Sequence, residues 1–173
     1  MTEPLTLTKL IILYMLDQVD FPLKKSQLID FILYDKEYTN YFTLMQAFNE
    51  IIDSNLASVT STHSATLISI TEEGKKTLNF FKNKMSAGIK QDVAKYFEEN
   101  KLKIHNEVSV VSNFYRTPNG DYAADLVAKE HDNDIMELKI YMPTAEAAEA
   151  LCNNWRDKSQ DIYAFILENL LNK

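Results

Sequence analysis

The sequence predicts an α+β fold in two parts, and three features carry the prediction. A helix, a short hairpin and a capped helix follow one another between Asn40 and Phe81. Three strand-like runs joined by turn signals lie between Ile104 and Met142, and apolar helix stripes precede and follow both regions. The expected organisation is a first domain over residues 1–82 and a second over residues 83–173. The second is read as a small α+β domain with a three-stranded antiparallel meander and C-terminal helices.

Leu5 or Leu7 to Val19 is apolar on most sides, as expected of the buried central helix of a small helical domain. Asp20-Phe21-Pro22-Leu23 breaks it, because proline ends helical geometry. Ser26 is the expected N-cap of a second helix, Gln27 to about Tyr34, with Leu28, Phe31 and Ile32 inward. Asp35 to Thr39 is a polar connection. Across Asn40 to Ser54, Tyr41, Leu44, Met45, Phe48, Ile51 and Ile52 recur at helical spacing, and Asn55 is the expected stop. Leu56 to Ser61 and Thr66 to Ile70 are β-prone runs around the polar tip Thr62-His63-Ser64-Ala65. Thr71 suits an N-cap, Glu72 and Glu73 suit the positive end of a helix over Lys75 to Phe81, and Gly74 permits close backbone approach. Helix, helix, helix, hairpin, helix is the order of a winged helix-turn-helix.

Past Phe81, Ser86 caps a helix to about Lys101, with Ile89, Val93, Tyr96 and Phe97 on one face. Ile104 to Arg116 reads as a strand that turns at Thr117-Pro118-Asn119-Gly120. Asp121 to Lys129 follows, with a turn at His131-Asp132-Asn133-Asp134. In the third run, Ile135 to Met142, Met136, Leu138, Ile140 and Met142 alternate with Glu137 and Lys139, one face buried and one wet. Pro143-Thr144 opens a helix with Ala148, Leu151, Cys152 and Trp155 in a stripe, and a last helix spans about Lys158 to Leu171.

The stretch ISITEEGKKTLNFF, in which Thr71-x-x-Gly74 leaves one strand and opens the next helix, resembles bacterial winged-helix regulators of the MarR and PadR kind. The longer stretch LTKLIILYMLDQVDFPLKKSQLIDFILYDKEYTNYFTLMQAFNEIIDSNL is similar to a bacterial family of small, uncharacterised winged-helix proteins, a domain of unknown function. That resemblance implies the fold and, by association, a DNA-binding transcriptional regulator; it supplies no catalytic residues.

Charge bears on that expectation. The net charge is −7, and seven basic against ten acidic residues through Lys82 leave −3 there, with −4 beyond. Neither half is a basic module, so DNA contact must come from a local patch. With the third helix in the major groove, Asn40, Thr43, Gln46, Ala47 and Glu50 lie opposite its stripe. Gln reads adenine bidentately, Thr reaches bases or phosphates, and Ala meets a thymine methyl. Lys24 and Lys25 before the second helix are expected on phosphate, with hydroxyl contacts from Tyr38, Thr39 and Tyr41, and Ser61, Thr62, His63 and Ser64 at the hairpin tip. Against this, the third helix has no Lys or Arg and carries Glu50 and Asp53. The alternative is a winged helix used as a protein–protein adaptor without DNA contact.

Other chemistry is not expected. His63, His105 and His131 lie in different elements, no paired-ligand spacing exists, and Glu130-His131-Asp132-Asn133-Asp134 reads as a polar turn, so neither metal nor cofactor is anticipated. Cys152 is read as a buried small residue, and the lone cysteine excludes an internal disulfide and fits a reducing cytosol. Three glycines and no nucleophile elbow argue against an enzyme. Met1-Thr2-Glu3-Pro4 has no basic region and the longest apolar run, Leu10 to Leu16, is short, so a cytoplasmic, non-membrane protein is expected. Ile162, Phe165, Ile166 and Leu170 wrap the last helix with Tyr163, Leu167 and Leu171, which calls for a second covering surface. That surface is the other domain or, as a palindromic DNA site suits, a second subunit in a homodimer; the first helix is another candidate interface. The C-terminal domain is expected to dimerise or to sense an unknown small-molecule effector.

Overall fold

A computed structural model describes residues 3–62, 65–130 and 133–172. The chain is α+β, with helices and two three-stranded antiparallel sheets. It divides into two compact units: residues up to 61 with residues 65–105, and a second built on residues 106–173. The division therefore falls inside a helix near His105, whereas the sequence reading placed it after Lys82.

In the first unit, α1 (Pro4–Asp17) starts on a proline, whose missing N–H costs nothing in the first turn. Leu10 to Leu13, Met15 and Leu16 are all buried, so this helix is enclosed on several sides as its composition requires. A two-residue strand, β1 (Leu23–Lys24), follows the Pro22 break and pairs with Ile68 and Leu67. Helix α2 (Lys25–Ile29) begins one residue before Ser26, the cap expected from sequence. Gln27 does the capping instead, its Oε1 accepting from the Lys24 N–H at 2.9 Å. The chain then widens into a π-helix, Asp30–Asp35, where the regular period had predicted α-helix. Phe31 and Ile32 inside it are buried as expected.

Helix α3 (Tyr41–Asp53) is capped by Asn40, whose Oδ1 accepts from the Thr43 N–H at 2.9 Å. Its buried line is Leu44, Ala47, Phe48 and Ile51, all 0% exposed. Two sequence expectations are corrected here. The stripe centres on Leu44, Phe48 and Ile51, which rotates Ala47 into the core and Tyr41 out to 61% exposure. Asn55 ends the helix in the left-handed region, at φ 57°.

Strands β2 (Ala57–Ser61) and β3 (Thr66–Ile70) form the hairpin, with Ala57 opposite Ile70 and Ser61 opposite Thr66; the sheet order is β1-β3-β2. Thr71 caps α4 (Glu72–Phe81), its hydroxyl oxygen accepting from the Gly74 N–H at 3.0 Å while donating to the Asn55 carbonyl at 2.7 Å. The Leu56 carbonyl accepts from the Thr71 N–H at 3.1 Å. A Cβ at Gly74 would lie 2.0 Å from that Leu56 oxygen, so only glycine fits. Helix α1 packs against both α3 and α4.

Helix α5 (Ala87–Val108) follows a single 3₁₀ turn at Lys82–Lys84. Val93, Phe97, Ile104 and Val108 are buried along one helical face, and that continuity overrides the strand expected from Ile104. The second unit's sheet, β4 (Val110–Arg116), β5 (Tyr122–Glu130) and β6 (Asn133–Met142), is the expected meander in order β4-β5-β6. Gly120, at φ 93°, donates to the Thr117 carbonyl at 3.0 Å in the first turn. The second turn includes residues outside the described set. Ala124, Leu126 and Ala128 of β5 meet Ala148, Cys152 and Trp155 of α6 (Ala145–Leu171), and the Trp155 indole N–H donates to the Val127 carbonyl at 3.0 Å. Met136, Leu138 and Met142 pack there as read, while Ile140 sits at the exposed rim. The two C-terminal helices expected from sequence are one, since no breaker lies between Trp155 and Lys158.

Replacing Gly74 with alanine is expected to cost about 2–3 kcal/mol or more, at the high end for added core volume. Gly88→Ala, whose Cβ meets only the Ser86 Oγ at 3.8 Å, is expected to be neutral or to stabilise by up to ~1 kcal/mol. Urea midpoints of the two variants check both; an unchanged midpoint for Gly74→Ala refutes the close approach.

Candidate nucleic-acid interface

The outer surface of α3 is built by its cap and by neighbours on either side. Asn40 is exposed but its carbonyl oxygen is committed to the cap. Thr43 is half-buried, and Gln46 is exposed, its Nε2 donating to Glu50 Oε1 at 2.9 Å. The other Glu50 oxygen faces Lys9 Nζ from α1 at 2.7 Å. Both carboxylate oxygens are thus engaged. The Lys9 hydrogen bond, then the one from Gln46, holds the Glu50 carboxyl below its ordinary range. Lys25 lies on the other flank of α3, its ammonium 5.0 Å from the Phe48 ring centroid.

Of the residues expected at DNA, Lys24, Lys25, Thr39 and Thr62 are half-buried, and Asn40 and Gln46 are exposed. Ala47 is withdrawn into the core and can touch no base. His63 and Ser64 lie outside the described residues. The Tyr38 hydroxyl, also expected at phosphate, donates to Asp92 Oδ2 of α5 instead. Burial first, then that carboxylate, raises the Tyr38 phenol well above its ordinary value. Tyr41 remains outward. Three features escaped the sequence reading: the Lys9–Glu50 pair, and the exposed rings of Phe42 (79%) and Tyr34 (69%). No periodic signal marks the pair, whose members are 41 residues apart; Phe42 was legible as the one aromatic off the stripe. The hairpin strands β2 and β3 contain neither Lys nor Arg, and Ser58, Val59, Thr60 and Ser61 of β2 are exposed.

Elsewhere, Cys152 is buried and the Ser112 hydroxyl donates to its carbonyl at 3.2 Å; burial pushes its thiol up. Among the described residues no group of three or more His, Cys, Asp or Glu is placed to hold a metal ion, and no helix is long and apolar enough to cross a membrane. The α1 surface considered for pairing is enclosed within its own unit. On α6, Ile162 packs on the sheet core and Ile166 is half-buried, while Phe165 (64%) and Leu170 (78%) are exposed.

The chain belongs to a family described as Domain of unknown function (DUF4364), whose model matches residues 8–170 and so spans both units. The MarR and PadR likeness is not part of that match. No curated protein and no solved structure matches the chain.

Because the Glu50 carboxyl is lowered in the folded chain, its stabilisation is complete above the ordinary carboxylate value of about 4.3. It is lost as pH falls through the lowered value. Thermal melts from pH 7 to 3 should therefore show a smaller acid loss for Glu50→Gln than for the parent chain; equal losses refute the pair. A thiol reagent should label Cys152 only in denaturant, and rapid labelling of the native protein would contradict its burial.

Proposed function

We propose that the first unit is a winged helix that binds double-stranded DNA and that the chain acts as a transcriptional regulator. The element order α1-β1-α2-α3-β2-β3-α4 supports the fold, with α3 as the helix offered to the major groove. The observation that carries the DNA reading is the neutralisation of Glu50 on α3. Of the helix's two carboxylates, Glu50 is tied up by Lys9 and Gln46 while Asp53 stays exposed near the C-terminal end, and Lys25 adds a cation on the flank. Gln46 and Thr43 are the base-reading residues, Lys24 and Lys25 the phosphate contacts, and a twofold pair formed through Phe165 and Leu170 of α6 would present two such helices to a palindromic site.

A second reading rests on a specific observation. Tyr41 and Phe42 are exposed aromatics in the first turn of α3, a helix without a lysine or arginine, and Tyr34 of the preceding π-helix is exposed as well. Such rings suit a protein partner, and the winged helix would then serve as an adaptor.

Selection from a random duplex pool decides between them. The regulator reading expects an enriched sequence whose affinity falls steeply with salt. It also expects Thr43→Ala with Gln46→Ala to lose that preference by tenfold or more, and Lys25→Ala to weaken all sequences alike and flatten the salt slope by about one. No enrichment at 50 mM salt overturns it. Sedimentation of Phe165→Asp with Leu170→Asp should give a monomer where the parent chain is a dimer; identical behaviour overturns pairing through α6.

A further inference from the structure

Away from the exposed face of α3, the first unit holds a cavity of about 430 Å³, within the range of about 300–1,000 Å³ that small-molecule pockets occupy. Its walls are the π-helix Asp30–Asp35 and a face of α5, both within the first unit. π-Helical turns are rare and concentrate at functional sites, because the widened turn re-aims side chains. Here the turn is closed by the Lys36 N–H on the Phe31 carbonyl at 3.0 Å. Tyr96 supplies an aromatic lining, its ring backed by the buried Phe31 at a centroid distance of 4.7 Å.

Four carboxylates border the cavity, Asp30, Asp35, Asp92 and Glu99, against two ammonium groups, Lys36 and Lys95. Asp92 is occupied: Tyr38 donates to one oxygen and Lys36 stands 3.6 Å from the other. Lys95 reaches Glu99 only at 3.9 Å, a loose exposed contact. Asp30 and Asp35, at the two ends of the π-turn, form no ion pair among the described residues. Carboxylate without an ion pair therefore sits on the π-turn wall, and on the α5 wall Glu99 is held only by that loose exposed contact. A single hard cation is a poor fit, because it needs several oxygens converging at one point, and no carboxylate group among the described residues converges in that way.

We propose that this cavity binds a small aliphatic di- or polyamine. Its methylene chain lies against Tyr96, whose ring backs onto the buried Phe31, and separate ammonium groups meet the Asp30–Asp35 wall and Glu99. Each ammonium gains charge-assisted hydrogen bonds and the nearby ring faces add cation–π attraction, whereas the excess of carboxylate repels anionic ligands. Two or more charges spaced along a flexible chain match carboxylates held apart on opposing walls. The assignment stands whether or not the chain binds DNA.

Calorimetric titration of the full chain with spermidine at 150 mM NaCl tests it. The expected result is one saturable site per chain, with Kd raised at least tenfold in Asp35→Asn and in Glu99→Gln. Both residues are exposed, so unchanged melting temperatures certify that the variants are folded. A monoamine should bind at least tenfold more weakly than spermidine. No saturable binding overturns the proposal, as does equal affinity in both variants, which would mean diffuse attraction to an acidic surface. A lysine-rich peptide that binds here while spermidine does not would also overturn it, and would mark the groove as a protein-docking site.

Discussion

The first unit depends on a contact between two stretches of backbone. Where α3 ends, the Leu56 carbonyl takes the Thr71 N–H and lies against the bare Cα of Gly74. Thr71 then bonds in two directions, to the Asn55 carbonyl behind and the Gly74 N–H ahead. The exit of one helix and the entry of the next are thereby pinned at the base of the hairpin. Strand pairing starts at Ala57 and Ile70 from a fixed point, so the angle between α3 and the hairpin is set at the base and not at the tip. A side chain at position 74 would push the first turn of α4 away from the Leu56 carbonyl and loosen the surface that α1 packs against. The function of α3, whatever it meets, inherits this geometry.

Much of this junction was legible because its determinants are local. A threonine three residues before a glycine, two glutamates in a first turn and an asparagine at a helix end each act through neighbours in sequence. The features that were not legible are set at long range. β1 is a strand only because Ile68 lies beside Leu23. The helix α5 runs through Ile104 because burial at Val93 and Phe97 continues to Val108, against the β-preference of the valines that follow. Ala47 was misplaced for a related reason: periodicity gives a stripe but not its centre, and Tyr41, amphipathic, was counted on the wrong side. The Pro118-Asn119-Gly120 turn and the period-two run of β6 were plain, because both follow from one residue's immediate backbone needs.

The candidate interface was legible in residue type and not in pairing. Gln46 and Thr43 could be placed on a polar face from spacing alone. That Glu50 is neutralised is a property of the packing of α1 on α3, which brings in Lys9 from across the core. Tyr38 shows the opposite outcome: a hydroxyl free in the sequence is captured by Asp92 of α5. In both cases a carboxylate near the edge of the core finds a partner distant in sequence, Lys9 for Glu50 and Tyr38 for Asp92. The two cases differ in what remains available, since Gln46 stays at the surface while the Tyr38 phenol is withdrawn.

The second unit poses a problem of length. Helix α6 has 27 residues, about 40 Å at 1.5 Å per residue. Its longest neighbour, β6, has ten residues, about 33 Å when extended. Even laid along that strand, the helix must overhang the sheet. Burial fades along it in just this way: Trp155 and Ser159 are enclosed, Ile162 is partly covered, and Phe165, Leu170 and Leu171 stand in the open. The last turn, beyond the sheet, gains little from its own hydrogen bonds in water, because short isolated helix is marginal. Its apolar side chains oppose exposure further. Such a segment holds its helix best when those side chains are covered, and the pairing proposed above would cover them with a second copy of the same overhang. That is the physical ground for the proposed pairing through α6, and it does not depend on what the first unit is proposed to bind.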